Sequence, residues 1–465
     1  MLEGLEITEI LLADLKNDNI EFRIESEFYK KEYQILKQKL LSKPHKELSY
    51  FLKQPVQTGH TPSMKNTKFY GGNIKFVKTD NLHDNYIKKD FNHYLSEFGN
   101  AIIQRTFLKE NDIITTIIGA TYDIIARSCI VRKDLLPANI NQNIALIRVD
   151  INKISPEVLN IYLNSYFGKK YLQYLSRQME QVNLNCREVE KVIVPIFHID
   201  FQNKIEEIVK IAHSKHEQSQ SLYCQAEELL FKNIGLKDFK PNERGTNIKS
   251  LKKSFLVTGR LDAEYYQPKY EDYIQLIKKY SGGFDSLQKI CNLKDTNFIP
   301  QEKKEYQYIE LSDIGSYGNI TSCILATGNE LPSRARRKIN TNDVIVSSIE
   351  GSLKSCALVT KNYDNALCST GFYVINSQII NSETILILLK SEVMQNILKQ
   401  NCSGTILTAI NKDEFKLIPI PLITPKIQQQ IAELIKQSFS LRTESEHLLD
   451  KAKNMVEKEI EGEKK

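Results

Sequence analysis

Several things missing from this sequence narrow its chemistry before any motif is considered. None of its eight cysteines sits in a CxxC pair and no histidines cluster with them, so neither a zinc framework nor a disulfide scaffold is expected, and free thiols in a reducing compartment are. No apolar run approaches 18 residues, which argues against a membrane span. The opening MLEGLEITEI is interrupted by Glu3 and Glu6 and does not read as a signal peptide. A G-x-x-x-x-G-K-[ST] loop for a triphosphate is absent; Gly168-Lys169 lacks both the upstream glycine and the hydroxyl residue. So are an Asn-Pro-Pro-aromatic motif and a glycine-rich cofactor loop. Strong net charge is missing too: 63 basic residues stand against 57 acidic, for +6. A polyanionic partner would have to be met by local clusters and not by the field of the whole chain.

What is present is an ordinary globular composition, 41% hydrophobic and 26% charged over 465 residues. That length corresponds to about two to four domains. The chain also repeats itself. Arg23-Ile24-Glu25-Ser26-Glu27-Phe28-Tyr29, with Tyr33 following, returns as Arg260-Leu261-Asp262-Ala263-Glu264-Tyr265-Tyr266 with Tyr270, an offset of 237 (260 less 23). Asn111-Asp112-Ile113-Ile114 returns as Asn342-Asp343-Val344-Ile345, an offset of 231 (342 less 111). The run ending at Pro195 and continuing through Phe201–Lys210 returns at Pro421 and Ile427–Lys436, an offset of 226 (421 less 195). Three matches in one order predict a tandem duplication whose first copy has longer loops.

Each copy begins as mixed α and β. Short β-branched stretches predict strands at 73–77, 112–118, 128–131 and 143–149, and at 306–311, 343–348 and 356–359. Helices are predicted from Ser155, with Pro156 in the first turn, and from Ser382. Each copy ends in a strand closing on proline, then a long periodic segment. Ile427, Ile431, Leu434, Ser438, Leu441, Ser445, Leu448, Ala452 and Met455 step by four and three, as an a/d heptad seam does. Phe201, Ile205, Ile208, Ala212, Lys215, Ser219, Leu222, Ala226 and Leu229 hold the same frame. About 30 residues make a helix of about 45 Å. Two such seams in one chain predict an antiparallel pair with the mixed modules at its opposite ends. Gly235, Pro241 and Gly245 read as the linker between copies.

Two diverged modules, each followed by a proline strand and a long glutamine-rich helix, resemble the DNA-specificity subunit of type I restriction–modification systems. Thr58-Gly59-His60-Thr61-Pro62-Ser63, then Tyr70-Gly71-Gly72-Asn73-Ile74-Lys75-Phe76, is similar to that family's G-x-TPS … Y-x-GG-I-x-W stretch, with Phe76 where Trp is common. Arg260 to Tyr270 looks like the entry of a second recognition domain. Ser403-Gly404-Thr405, with Ile418-Pro419-Ile420-Pro421 downstream, resembles its exit. The first copy departs from this pattern: Gln181-Val-Asn-Leu stands near its exit, and Phe197-His198 follows Pro195. The resemblance spans residues 20–460.

The resemblance implies an α+β fold of two mixed target-recognition domains separated by two long helices in an antiparallel coiled coil, a pseudo-twofold tandem repeat. The expected organisation is residues 1–190 as the first recognition domain, 191–235 as a central region with a long helix, 236–415 as linker and second recognition domain, and 416–465 as the C-terminal region with the other helix. It implies no catalysis on this chain. Double-stranded DNA, two methylation subunits using S-adenosylmethionine, and motor–nuclease restriction subunits using ATP and magnesium are the implied partners, in the cytoplasm and away from membranes. Modules that differ in sequence would read an asymmetric bipartite site. The helix pair, longer than the roughly 34 Å of one DNA turn, would set the spacer; changing its length by a few residues should alter that spacer, and an unchanged spacer would refute the idea.

Binding chemistry has local support. Arg334-Ala335-Arg336-Arg337-Lys338 places four cations in five positions just before an expected strand. Arginine forks pair with guanine O6 and N7 or clamp phosphates. Lys354 follows the turn Gly351-Ser352. In the first copy Lys65, Lys68, Lys75 and Lys78 flank Tyr70-Gly71-Gly72, where Gly72 would admit close backbone approach to a groove. Arg105, Arg127 and Arg132 are weaker candidates. The bland alternative for each is a solvated loop. Glu188-Val-Glu190-Lys191 and Asp413-Glu414-Phe-Lys416 lack the upstream Pro-Asp of a metal nuclease and read as a solvated face. His213 and His216, at i and i+3, lack a third metal ligand. Two rival functions remain in view: a coiled-coil adaptor that binds protein and not DNA, and the recognition half of a split restriction–methylation enzyme.

Overall fold

A computed structural model describes residues 8–13, 15, 23–178, 181–237, 239–242, 244–404 and 408–462. Of the sequence motifs above, Glu3, Glu6, Thr405 and the side chain of Glu27 lie outside what it describes. The chain divides into two compact units. Unit 1 is Met1–Ser214 with Glu444–Lys465, and unit 2 is Lys215–Thr443. Each long helix therefore contributes one part to each unit.

Unit 1 contains α1 (Lys31–Leu41), β1 (His45–Glu47), β2 (Gln57–Thr58), β3 (Tyr70–Val77), β4 (Tyr94–Leu95), α2 (Glu97–Ile102), β5 (Ile113–Thr116), β6 (Ile118–Gly119), β7 (Ser128–Ile130), β8 (Ala138–Ile140), β9 (Ile144–Ile147), α3 (Pro156–Asn164), α4 (Tyr166–Leu175), β10 (Arg177–Gln178), β11 (Val182–Asn183), α5 (Cys186–Glu190) and β12 (Ile193–Pro195), then the first part of α6 (Ile199–Asn233). Strands β2, β9, β5 and β7 form one sheet in that order, and β8, β3 and β4 another. Period-two alternation sends Ile113, Ile130, Ala145 and Ile147 toward the helices, and Ile114, Cys129, Ile144 and Leu146 toward the second sheet. Both faces of the first sheet are thus buried, which explains why Ile113-Ile114 and Ile144–Ile147 run apolar without polar alternation. The far face of β3 carries Ile74 and Phe76, which pack with Leu95 and Ile103 as an outer cluster.

Unit 2 repeats these layers. It contains α7 (Pro268–Lys278), β13 (Phe284–Ser286), β14 (Asn292–Lys294), β15 (Glu305–Ile309), β16 (Ile324–Thr327), β17 (Ala335–Lys338), β18 (Val344–Ser347), β19 (Cys356–Leu358), β20 (Leu367–Ser369), β21 (Phe372–Asn376), α8 (Ser382–Lys390), α9 (Glu392–Gln400), β22 (Cys402–Ser403), β23 (Ala409–Ile410), α10 (Lys412–Leu417), β24 (Pro419–Pro421) and the first part of α11 (Pro425–Glu461). The inner sheet runs β14-β21-β18-β19 and the outer sheet β16-β15-β20-β17. Val344 and Val346 face the helices, Ile345 faces the outer sheet, and Tyr306, Tyr308, Ala335 and Leu367 form the outer cluster. In both units the middle strand of the outer sheet has one parallel neighbour, β8 on β3 and β20 on β15.

The duplication is visible atom by atom. The Tyr29 hydroxyl donates to the Arg23 carbonyl at 2.9 Å, as the Tyr266 hydroxyl does to the Arg260 carbonyl at 2.9 Å. Each guanidinium lies 4.3 Å over a ring, Phe28 in one unit and Tyr265 in the other. Each donates to a carbonyl just beyond the end of a helix, Ser176 at 2.9 Å and Cys402 at 2.8 Å. Asn111 and Asn342 both take left-handed backbone, with φ of 67° and 71°, a conformation asparagine tolerates better than most residues. The exit hairpin survives in the first copy as β10–β11 despite its different sequence, matching β22–β23.

Helices α6 and α11 have 35 and 37 residues, so about 53 and 56 Å, longer than the sequence suggests. In unit 1 the Ser445 hydroxyl donates to the Ala212 carbonyl at 2.7 Å, joining the end of one helix part to the start of the other. In unit 2 Ser438 donates to Ser219, again at 2.7 Å and again between opposite ends. The helix parts run antiparallel within each unit. One column of the expected seam is correct: Ile205, Ala212, Ser219 and Ala226 are buried, as are Ile431, Ser438, Ser445 and Ala452. The other column lies one residue further on. Val209, Tyr223, Leu230, Ile435, Arg442 and Val456 are buried, while Ile208, Leu222, Leu229, Leu434, Leu441 and Met455 are only half-buried. Each helix covers a unit's inner layer as well as the other helix, so its apolar stripe is wider than a strict two-column seam.

Among the described residues no helix is long and apolar enough to cross a membrane. Nor is any group of three or more His, Cys, Asp or Glu side chains placed to hold a metal ion. His216 instead shares a 2.8 Å hydrogen bond with Gln220.

Candidate nucleic-acid interface

Most of the basic candidates lie on or beside the outer sheet of each unit, while Arg127 and Arg132 flank the inner-sheet strand β7 and Lys354 precedes the inner-sheet strand β19. In unit 2 the run at 334–338 precedes the expected strand, β18, and Ala335–Lys338 is itself the edge strand β17. Pairing with β20 and a register shift between Ala335 and Arg337 bury Ala335 and divide the cations. Arg337 turns along the sheet, and its guanidinium donates to the Asp295 carbonyl. Arg336 Nε donates to the Ser333 carbonyl at 3.1 Å. Arg334 is exposed and makes no side-chain hydrogen bond or ion pair among the described residues. Lys338 lies 5.8 Å from the Phe298 ring, Phe298 meets Tyr306 edge-on at 5.9 Å, and Lys304 lies 5.5 Å from Tyr306. Two ammonium groups thus flank an aromatic pair on this face. Lys304 was not singled out from sequence, because Lys303-Lys304 sits between acidic neighbours, Glu302 and Glu305. Lys354 is exposed at the end of a short 3-10 turn, and its carbonyl accepts from Lys390.

In unit 1 the candidates separate into two groups. Lys65, Lys68 and Arg105 are exposed and carry no side-chain hydrogen bond or ion pair among the described residues. The others are committed internally. Lys75 Nζ donates to the Leu136 carbonyl at 3.3 Å. Lys78 lies 5.8 Å from the Phe76 ring, and burial holds its pKa below the ordinary lysine value against the opposing pull of Asp80. Arg127 donates to the Asp123 and Leu82 carbonyls, and Arg132 pairs with Glu157 at 3.0 Å. The Tyr70 hydroxyl donates to the Pro62 carbonyl at 2.6 Å and fixes the loop that carries Lys65 and Lys68. Gly72 has a structural reason for being glycine: a Cβ there would stand 2.4 Å from the Leu95 carbonyl oxygen. The close approach is to β4, so it does not present backbone to a groove.

One correspondence emerges only from the fold. The amides of Leu108 and Ile339 donate to the Ala138 and Ala366 carbonyls, both at 3.0 Å. The amides of Lys109 and Asn340 donate to the carboxylates of Asp112 and Asp343, both at 2.7 Å. This shared frame, offset by 231, carries Arg105 onto Arg336. Arg105 lies in the 3-10 turn Gln104–Thr106 and Arg336 in the edge strand β17, so the two match in sequence frame and not in backbone conformation.

Residues 284–453 match the family model for the type I restriction modification DNA specificity domain. The chain resembles a type I restriction–modification specificity subunit. The Escherichia coli type I restriction enzyme EcoBI specificity subunit is 29% identical over 134 residues, 28% of this chain. That match spans 27%, about a quarter, of the relative's length. Among solved structures, the type I S subunit from M. genitalium is similar over 89% of this chain and 95% of its own, with 12% identity and a TM-score of 0.42. The HsdS subunit from Thermoanaerobacter tengcongensis is similar over 90% and 96%, with 13% identity and a TM-score of 0.29. The specificity-domain match takes in β13 to the middle of α11, and with them Arg334, Arg336, Arg337, Lys338 and Lys354. The unit 1 candidates lie outside it and rest on the duplicated geometry.

Proposed function

We propose that this chain is a non-catalytic DNA sequence-recognition subunit of a type I restriction–modification complex, in which each unit reads one half of an asymmetric bipartite target. The observation that carries the reading is the repeated outer sheet: one three-layer design in two diverged sequences, with an arginine at the same place in the sequence frame of each. On this reading Lys65, Lys68, Arg105, Arg334, Arg336, Lys338, Lys304 and Lys354 contact phosphates and base edges. Phosphate contacts set register and base contacts set sequence, so only a few need be specific. Lys75, Lys78, Arg127 and Arg337 support the surface from within. On this reading the chain works in the cytoplasm. The methylation subunits, with S-adenosylmethionine, and the motor–nuclease subunits, with ATP and magnesium, supply the chemistry that this chain positions.

The test is the set of modified bases in the host genome with and without this gene. Loss of methylation at one two-part, non-palindromic motif is the expected result. An unchanged pattern would refute the reading.

A further inference from the structure

Unit 1 carries a surface ring pair, exposed Phe98 on half-buried Phe69, that the basic-residue argument does not use. Phe69 and Phe98 stack at 5.5 Å with an interplanar angle of 21°. Phe98 is 60% exposed, and Ile102, one helical turn later on α2, is 53% exposed. Phe98, Ile102 and Phe69 lie together on the surface, and clustered apolar side chains, unlike single ones, mark a contact site. Their placement is fixed by backbone. A Cβ on Gly99 would stand 2.2 Å from the Phe69 carbonyl oxygen, so only glycine lets α2 sit this close. The Ser96 hydroxyl donates to the Lys68 carbonyl at 2.6 Å, the Ser96 amide donates to the Phe69 carbonyl at 3.0 Å, and the Gly99 amide donates to Ser96 Oγ at 3.0 Å. The rings therefore stand on a rigid support. Exposed Lys65 and Lys68 lie on the same loop as Phe69, and exposed Arg105 follows α2; Glu97 is the acidic residue on that helix.

We propose that Phe98, braced by Phe69, is an apolar base-contacting wedge of the first recognition unit, with Lys65 and Lys68 seating the phosphates beside it. The occupant is double-stranded DNA, because cations around an apolar tip fit a partner that is anionic on its outside and apolar between its base pairs. Side chains of this kind press on base steps or thymine methyls and add selectivity where no hydrogen bond is made. The inference rests on the DNA-recognition reading above. It goes beyond it by assigning sequence discrimination to an uncharged residue.

The experiment maps methylated sites in cells carrying the wild-type gene, Phe98→Ala, Phe98→Leu or Ile151→Ala, the last altering an exposed apolar residue elsewhere in unit 1. With Phe98→Ala, sites differing by one base pair in a single half-site should be modified at least about fivefold more than in wild type, the other half-site staying strict. Phe98→Leu should recover part of that strictness, and Ile151→Ala should match wild type. If Phe98→Ala keeps the wild-type motif, or relaxes both halves equally, or if it abolishes methylation with soluble protein and Phe98→Leu recovers none of it, the wedge is wrong. Deleting the gene separates the two ideas: no change in methylation on deletion would remove the DNA-recognition reading itself.

Discussion

Truncating Arg148 should expose how unit 1 holds its inner sheet. Asp112 is 2% exposed. Its carboxylate takes Arg148 Nη2 at 2.6 Å and Nε at 2.7 Å, a bidentate pair, and also the Lys109 amide at 2.7 Å. The same guanidinium donates to Gln54 at 3.2 Å and to the Phe107 carbonyl at 3.3 Å. Arg148→Ala leaves a buried carboxylate with one neutral donor. Removing one partner of such a pair costs about 3–5 kcal/mol. A unit of this size shifts by about 2–4 °C per kcal/mol, so its melting midpoint should fall by roughly 6–20 °C. Unit 2 indicates which replacement is mild: there Asp343 takes the single ammonium of Lys294 at 2.6 Å and the Asn376 amide at 2.9 Å. Arg148→Lys should therefore cost clearly less than Arg148→Ala, and Asp112→Asn with Arg148→Met less than Arg148→Ala alone. Scanning calorimetry on the full chain, with hydrogen exchange at residues 113–116 and 144–147, measures this. A loss under about 1 kcal/mol for Arg148→Ala would refute the reasoning.

Two further outcomes follow from the same geometry. Lys65→Ala and Lys68→Ala should weaken DNA binding nearly equally on all sequences, each reducing the slope of log affinity against log salt by about 1; a change confined to one sequence would assign these lysines to base reading. Cysteine labelling should separate by burial. Desolvation pushes the Cys291, Cys356 and Cys402 thiols up to about 12, and raises Cys129 and Cys368 as well. At pH 8 a thiol with a pKa of 12 is thiolate at about one part in ten thousand. Exposed Cys224 should react first in the native protein and the five buried thiols only on unfolding, as mass spectrometry after a short alkylation pulse would show.

The duplication was legible in sequence because the clasp at Arg23 and Arg260 needs the same arginine, ring and tyrosine spacing in both copies. The central strands of the inner sheets were legible because burial on both faces gives them apolar, β-branched runs such as Ile113-Ile114, Ile144–Ile147 and Val344-Ile345-Val346. Which helix column is buried was not: Arg442 enters the second column by stacking 4.4 Å over Tyr317, and hydropathy prefers its neighbour Leu441. The edge-strand role of Arg336 and Lys338 was hidden for a related reason, since four cations in five positions read as a loop until β20 is there to pair with them. Gly72 looked like a place for DNA to approach because spacing cannot show that β4 already fills that space. Phe98 gave no signal at all. A lone phenylalanine reads as core, and only the fold shows it standing in solvent.

The central claim is that each unit reads its own half of the target. Mapping methylated sites in cells carrying Arg105→Ala or Arg336→Ala tests it most directly. The account predicts that each variant relaxes or removes one half of the motif, a different half for each, leaving the other half intact. If both variants altered the same half, or neither altered the motif, the claim would be contradicted.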